Sequence, residues 1–168
     1  MAIMKYLNGG KYFDDNARRD VISYTTYPNK VRHGYTNATG FDPCYLAELM
    51  TAHAQKYGKD SGVRLRHFFI AFAKYEIFSA KKAYEIAVKI GHMLGYSYQT
   101  VYAVHEDKFY LHIHFVHNSV GYNGERFRGD YKESHAMENA IKAILKPYGI
   151  HLKVLSSKDN FVIDSSEW

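Results

Sequence analysis

The sequence predicts a single α+β domain with a central, mainly antiparallel β-sheet and helices packed on one face. Two observations support this prediction. The segments 99–105 and 111–120 have strand-like composition and are separated by a short turn, so they are expected to form an antiparallel hairpin. Most other apolar segments have helical periodicity, and helices beside an antiparallel sheet commonly cover one of its faces. Because no repeat or Pro/Gly/Ser-rich linker interrupts residues 1–155, they are expected to form this domain.

The elements that precede the hairpin are predicted from apolar spacing and from residues that start or stop helices. Residues 14–27 are expected to form a helix that stops at Pro28. A second helix is expected to begin with the Asp-Pro pair at 42–43, a capping residue followed by proline, and to end at Gly58. The apolar and aromatic run 63–72 is typical of a strand.

The remaining elements flank the hairpin. Ser79 can cap a third helix that has an apolar inner face and ends at Gly95. After the hairpin, residues 131–148 are predicted to form a fourth helix, and 151–155 a final strand. Residues 156–168 are predicted to be a C-terminal tail, which either docks on the domain or leads into a further region.

Composition narrows the classes of function. Hydrophobic residues make up 46% of the 168 and charged residues 23%, as in ordinary globular proteins, and no apolar run is long enough to cross a bilayer. Cys44 is the only cysteine, which excludes an intrachain disulfide and favours a reducing, cytoplasmic compartment. A net charge of +5 suits a polyanionic partner without requiring one. The 16 tyrosines and 10 phenylalanines could stack on unpaired bases or simply fill the core.

The second strand of the hairpin carries the most informative histidines. Successive side chains of a strand point to opposite faces, so His112 and His114 are expected to share one face. Ile113 and Phe115 share the other face, which is apolar enough to pack against helices, and His117 falls on that second face. The histidine pair is therefore predicted to lie on the face opposite the helices.

A third histidine completes a possible metal site. His105 ends the first strand of the hairpin and returns beside His112, so that three imidazoles, with His114, could converge on one ion. Three protein ligands leave positions open for water or a phosphate oxygen, as in catalytic sites. Asp107 or Glu106 could accept the free ring N–H of a ligand. Imidazoles suit Mn²⁺, Zn²⁺, Co²⁺ or Ni²⁺ better than Mg²⁺. The alternative is a set of unrelated histidines in a histidine-rich chain.

With these residues, the chain resembles the relaxase, or mobilisation-nuclease, family of plasmids and integrative conjugative elements, whose signature is histidine, hydrophobic residue, histidine on a strand. At Ala71 this chain lacks a serine that the family commonly has, so any role of that hydroxyl is absent. Four segments resemble, in chain order, the nucleophile motif, a second motif, the metal motif and the turn that follows it: 21–30, 67–76, 105–118 and 121–127.

The resemblance implies an activity. Relaxases nick one DNA strand by transesterification: a tyrosine becomes linked to the 5′ phosphate, a 3′ hydroxyl is left free, and the strand is later rejoined. The expected substrate is single-stranded or hairpin DNA at an origin of transfer, and the expected cofactor is a divalent ion, Mn²⁺ or Mg²⁺ in function. The expected setting is the bacterial cytoplasm, with accessory relaxosome and coupling proteins as partners and no membrane.

The resemblance implies the role of one residue, and residue chemistry suggests roles for others. The resemblance makes Tyr24 the nucleophile, with Tyr27 as a competitor three residues later on the same helix. Asp107 and His67 are candidates for the base that takes the phenol proton, or for groups that hold a ligand histidine or a phosphate. Six basic residues are candidate phosphate contacts, although each alone fits a solvated surface charge: Lys30, Arg32, Arg64, Arg66, Arg126 and Arg128.

Two other functions fit the same features. Rolling-circle replication initiators and single-strand transposases pair such histidines with a tyrosine that usually lies downstream, where this chain has Tyr131 and Tyr148. A non-catalytic single-strand nucleic-acid-binding module would use the aromatic rings and positive charge without any covalent chemistry. It predicts DNA binding without a protein–DNA adduct.

Overall fold

A computed structural model describes residues 1–7, 12–39, 42–76, 79–108, 110–155 and 159, except for the side chains of Arg32 and His33. The strands are β1 (Ala2–Tyr6), β2 (Val31–Ala38), β3 (Leu65–Ala71), β4 (Thr100–His105), β5 (His112–Asn118) and β6 (Leu152–Leu155). The α-helices are α1 (Ala17–Thr25), α2 (Leu46–Lys56), α3 (Ala80–Gly95) and α4 (Tyr131–Leu145), with short 3₁₀ turns at Pro43–Tyr45 and Lys146–Tyr148.

The six strands form one sheet in the order β2-β4-β5-β3-β1-β6. Every neighbouring pair is antiparallel except β1 and β6, which are parallel. The predicted hairpin is confirmed as β4–β5, and its register places His105 directly opposite His112. The chain therefore has the predicted α+β fold with a mainly antiparallel sheet.

Helices α3 and α4 cover one face of the sheet. The main core lies here, between the inner faces of these helices and buried rings of the sheet such as Phe68, Tyr102 and Phe115. At Gly91, α3 comes so close to the sheet that the Cβ atom of any larger residue would overlap the ring of Tyr102. The apolar face predicted for the second hairpin strand is the one buried against these helices.

Helices α1 and α2 pack on the opposite face, beside the histidines. A smaller apolar cluster joins Ile22 of α1 and Met50 of α2 to Leu65 and Val116 of the sheet. The sequence placed helices mainly on one face, and the structure adds this second pair at one end of the other face. Helices α1 and α2 therefore lie next to the histidines on this face of the sheet.

Several element ends agree with the sequence. Ser79 caps α3, its hydroxyl accepting a hydrogen bond from the backbone N–H of Lys82. The Asp42 carboxylate accepts from the N–H of Cys44, but the turn it caps is 3₁₀ before α2 begins. Helix α1 is shorter than predicted and begins only at Ala17.

The sequence missed β1 and β2. Strand β1 has only five residues, and β2 contains Gly34 with a φ of 85° and an irregular register between Val31 and Thr36. Both strands are held by pairing with distant parts of the chain, which local patterning does not report. Apart from residue 159, the tail 156–168 lies outside the described residues. None of the described helices has the length and apolarity needed to span a membrane.

Candidate metal centre and nucleophile

Strands β4 and β5 bring the three predicted ligand histidines together on one face. In the register, His105 lies opposite His112, and His114 lies two residues further along β5. All three side chains are buried, and one ring nitrogen from each lies within 4.8 Å of the others. Strand alternation and the short hairpin together produce this cluster.

The hydrogen bonds of His105 show which of its nitrogens is available. Nε2 of His105 donates to the backbone carbonyl of Thr25, 2.7 Å away at the end of α1. Its Nδ1 is buried and has no hydrogen-bond partner among the described residues. In a neutral imidazole whose Nε2 carries the proton, Nδ1 has the lone pair. A buried lone pair without a partner is costly, and a metal ion would satisfy it.

The other two rings are held in a similar way. Nδ1 of His112 lies 3.4 Å from the carbonyl oxygen of Tyr110. Nδ1 of His114 lies 2.8 Å from Nε2 of His67, a buried residue of β3. Each ring therefore has one nitrogen engaged by a neighbour, which leaves the other for an ion.

The three histidine rings are also in the protonation state that binds metal ions. Burial, reinforced by neighbouring histidines, lowers the pKa of His112 to about 4 and that of His114 well below its usual value. The pKa of His105 is lowered as well, mainly by burial. Neutral imidazole is the form that binds metal ions, so the rings need no deprotonation at neutral pH. The donor set, the unpartnered Nδ1 of His105 and the neutral rings all fit a divalent ion.

Residues 24–150 match the family model described as "Relaxase: MobA/VirD2-like, nuclease domain". The chain belongs to this relaxase family. Its histidine cluster and mixed sheet thus lie in a relaxase nuclease domain, as the sequence motifs indicated.

A protein from Staphylococcus aureus and a solved structure are similar to this relaxase domain. The protein named rlx is 24% identical over 108 residues, a match that covers 64% of this chain and 33% of rlx. A solved structure titled "Molecular Basis of Vancomycin Resistance Transfer in Staphylococcus aureus" superposes with a TM-score of 0.55 and 15% identity, covering 96% of this chain and 100% of that one. At that identity the superposition shows a shared fold. This chain matches only about a third of the length of rlx.

Tyr24 lies at the open side of the histidine cluster. Its side chain is 45% exposed, and its ring centroid is 5.6 Å from that of His114 and 6.0 Å from that of His105. Tyr27 is 49% exposed, but among the described residues its ring contacts none of the cluster histidines, and its hydroxyl accepts from Asn29 instead. Of the two candidate nucleophiles, Tyr24 is therefore the one beside the histidines.

The downstream tyrosines lie elsewhere. Tyr131 is 83% exposed and stacks on His135 of α4, and the Nζ of Lys89 lies 4.7 Å from the ring centroid of Tyr148. Helix α4 packs on the face of the sheet opposite the histidine cluster. A rolling-circle initiator or transposase would have its nucleophilic tyrosine on a late helix. Neither Tyr131 nor Tyr148 lies at the histidine cluster.

Lys30 and Asp107 complete the surroundings of Tyr24. The Nζ of Lys30 lies 4.3 Å from the centroid of the Tyr24 ring and 3.5 Å from Oδ2 of Asp107. Oδ1 of Asp107 is 3.7 Å from Nε2 of His112. Asp107 therefore lies beside Nε2 of His112, while the carbonyl oxygen of Tyr110 lies near Nδ1 on the other side of the ring.

Most of the candidate phosphate-binding arginines have partners within the domain. Arg64 pairs with Asp15 and Asp60, and Arg66 donates to the carbonyls of Phe127 and Arg128. Arg126 likewise donates to the backbone carbonyls of residues 59 and 63. The backbone of Arg128 is bonded but its side chain is exposed, and the side chain of Arg32 lies outside the described residues.

Two groups at the site were not predicted from the sequence. They are Tyr12, whose hydroxyl is 3.1 Å from Nδ1 of His67, and the carbonyl of Thr25 that holds His105. Tyr12 belongs to no motif and precedes α1, and a backbone carbonyl has no sequence signature. Only their positions in space connect them with the cluster.

Proposed function

We propose that this relaxase domain nicks one strand of origin-of-transfer DNA through a covalent bond to Tyr24. The observation that carries the proposal is a half-exposed tyrosine whose ring lies against a buried cluster of three neutral histidines. Family membership supports a DNA-nicking reaction, and the family match includes Tyr24.

The proposed step exchanges one phosphodiester for another. The Tyr24 oxygen attacks phosphorus while the bond from phosphorus to the 3′ oxygen breaks. The phenol proton passes to a base, and the departing 3′ oxygen takes up a proton to become a hydroxyl. Because the new tyrosyl phosphodiester replaces the old one, the reverse attack by a 3′ hydroxyl can rejoin the strand.

His105, His112 and His114 are the proposed ligands of a divalent ion, Mn²⁺ or Mg²⁺ in function. When bound, such an ion supplies Lewis-acid polarisation of the scissile phosphate and compensation of its charge. The chain itself orients the nucleophile, because the Tyr24 ring is packed edge-on against His114. The carbonyls of residues 25 and 110 keep two of the ligand rings in place.

Lys30 and Asp107 are proposed to act on the nucleophile and the phosphate. The ammonium group of Lys30 lies over the Tyr24 ring, where it is placed to attract a phosphate that approaches the phenol. Asp107 is held beside Lys30 and the cluster, where a carboxylate could accept the phenol proton. Asp107 and His67 are thus the two candidates for the base.

The proposed substrate is single-stranded DNA beside a hairpin, with accessory relaxosome and coupling proteins as partners in the cell. Of the six basic residues predicted to contact phosphates, three already make ion pairs or hydrogen bonds within the domain: Arg64, Arg66 and Arg126. The proposed phosphate contacts are the other three: Lys30, Arg32 and Arg128. We propose further that residues 1–155 are the nuclease domain of a longer relaxase. The match to only a third of rlx supports this.

The proposal is tested by incubating the protein with Mn²⁺ and labelled single-stranded oligonucleotides that tile the origin region, followed by denaturing gel electrophoresis. We expect a covalent protein–DNA band in the wild type that disappears in Tyr24→Phe and His114→Ala. Tyr27→Phe is the matched control, because Tyr27 is similarly exposed but lies outside the cluster, and it should retain the band.

Two results would overturn this assignment. A band that persists in Tyr24→Phe and vanishes in Tyr27→Phe would make Tyr27 the nucleophile. Tight, salt-sensitive binding of every oligonucleotide with no adduct would favour a binding module instead.

A further inference from the structure

Hydrogen bonds link three side chains in a row, from His114 in the histidine cluster through His67 to Tyr12. His67 on β3 is 3% exposed and lies on the same face of the sheet as the cluster. Its Nε2 is 2.8 Å from Nδ1 of His114, and its Nδ1 is 3.1 Å from the hydroxyl of Tyr12. Both nitrogens of His67 are therefore engaged, one by a proposed metal ligand and one by a phenol.

The protons in this row of hydrogen bonds can be assigned by counting the donors and acceptors of the three side chains. If Nε2 of His114 gives its lone pair to a metal, then its Nδ1 carries the proton and donates to Nε2 of His67. A neutral His67 that accepts at Nε2 has its own proton on Nδ1, and this proton is donated to the oxygen of Tyr12. This order leaves no unsatisfied donor or acceptor between His114 and Tyr12.

We propose that His67, supported by Tyr12, is a positioning residue that fixes the tautomer and orientation of His114 for metal binding. This inference rests on the proposed function, because it assumes that His114 is a ligand. Ligand histidines usually donate their second N–H to a carboxylate, a backbone carbonyl or water. Here the acceptor is a second neutral imidazole, so no negative charge is placed behind His114 to offset the charge that the ion presents to a phosphate.

The proposal also decides between the two candidates for the base. With Nε2 accepting from His114 and Nδ1 donating to Tyr12, His67 has no free lone pair for the proton of Tyr24. Its ring centroid is 6.4 Å from that of Tyr24, close enough to pack but not bonded to the phenol. Asp107 is left as the candidate for the base.

Metal binding can be measured without DNA, which separates this role from catalysis. The full chain is titrated with Co²⁺ and Mn²⁺, following the visible spectrum of the Co²⁺ form and the dissociation constants by calorimetry. His67→Leu removes the acceptor and should weaken metal binding about 10- to 100-fold and alter the Co²⁺ bands, as expected when the group that holds a ligand is lost. His67→Gln can place an amide oxygen near the former Nε2 and should restore most of the affinity.

Two further variants make the test specific. Tyr12→Phe leaves the Nδ1 proton of His67 without its acceptor and should weaken metal binding by a smaller factor than His67→Leu. His117→Gln is the matched control: His117 is also a fully buried histidine of the sheet, but it packs against Tyr98 and Phe127 away from the cluster. The metal affinity of the His117→Gln variant should equal that of the wild type.

The possible failures are distinguishable. If the wild type binds Co²⁺ or Mn²⁺ and a folded His67→Leu variant binds equally well with an unchanged spectrum, the positioning role is wrong while the proposed function stands. If His67→Leu does not fold, an unchanged affinity and spectrum in Tyr12→Phe overturns the inference. If the wild type binds neither ion, the metal-dependent function fails and the inference fails with it.

Discussion

His117 should make this domain sensitive to mild acid, for a reason unrelated to the metal. Its ring is fully buried between Tyr98 and Phe127, with Nδ1 donating to the carbonyl of Asn118 at 2.9 Å. Nε2 has no hydrogen-bond partner among the described residues. Burial lowers the pKa of His117 to about 4, well under the 6.5 of an exposed histidine. The folded protein therefore keeps this ring neutral.

The size of the effect follows from linkage. Because the unfolded chain takes up the proton at higher pH than the folded one, stability is fully present above about pH 6.5 and is lost as the pH falls toward 4. A difference of about 2.5 pKa units corresponds to about 3 kcal/mol in total. About 2 kcal/mol of this should be lost between pH 7 and pH 5.

The His117→Met variant isolates this contribution. Methionine fills the same apolar space without titrating, so the variant should unfold within about 1 kcal/mol of the wild type at pH 7. Between pH 7 and pH 5, the free energy of unfolding of the wild type should fall by about 2 kcal/mol more than that of the variant. Urea unfolding of both proteins in chelator at the two pH values measures the difference, since the other histidines titrate in both. Equal losses of stability on acidification would refute the reasoning.

Two further substitutions test the packing that places the site. Gly91→Ala should destabilise the domain by about 1–3 kcal/mol, because the new methyl group would overlap the buried ring of Tyr102. Helix propensity alone predicts stabilisation by about 1 kcal/mol, so a raised melting temperature would contradict the close approach. Asp60→Asn should lower the free energy of unfolding by about 3 kcal/mol, because it removes the carboxylate shared by the largely buried Arg18 and Arg64. Denaturation at neutral pH that shows no loss would mean that both arginines find other partners.

The hairpin and α3 were predictable because their signals are local. Alternation along β5 separates His112 and His114 from Ile113 and Phe115, and a short turn is enough to bring His105 beside them. The apolar stripe of α3 and its cap depend on residues a few positions apart. Such patterns survive folding because they set which face of a strand or helix is buried.

Strands β1 and β2 and the use of the arginines were not predictable in the same way. Strand β1 is short and is defined by its pairing with β3 and β6, which lie far away in sequence. Alternation along the predicted strand 63–72 would put Arg64 and Arg66 on one face, but β3 begins at Leu65, so that Arg64 precedes the strand. Alternation could not show that carboxylates and carbonyls from distant loops would occupy both arginines.

The sequence by itself determined which residues could hold an ion, because strand parity and hairpin length decide which histidines share a face. The family resemblance pointed to Tyr24, but only the tertiary structure showed that its ring lies beside these histidines and how the histidine rings are oriented. Tyr24 reaches the cluster because α1 packs through Ile22 on Met50 and Val116. His105 is fixed by a carbonyl of the same helix, 80 residues earlier in the chain. Contacts of this kind arise from the packing of a helix on a sheet, and no local pattern encodes them.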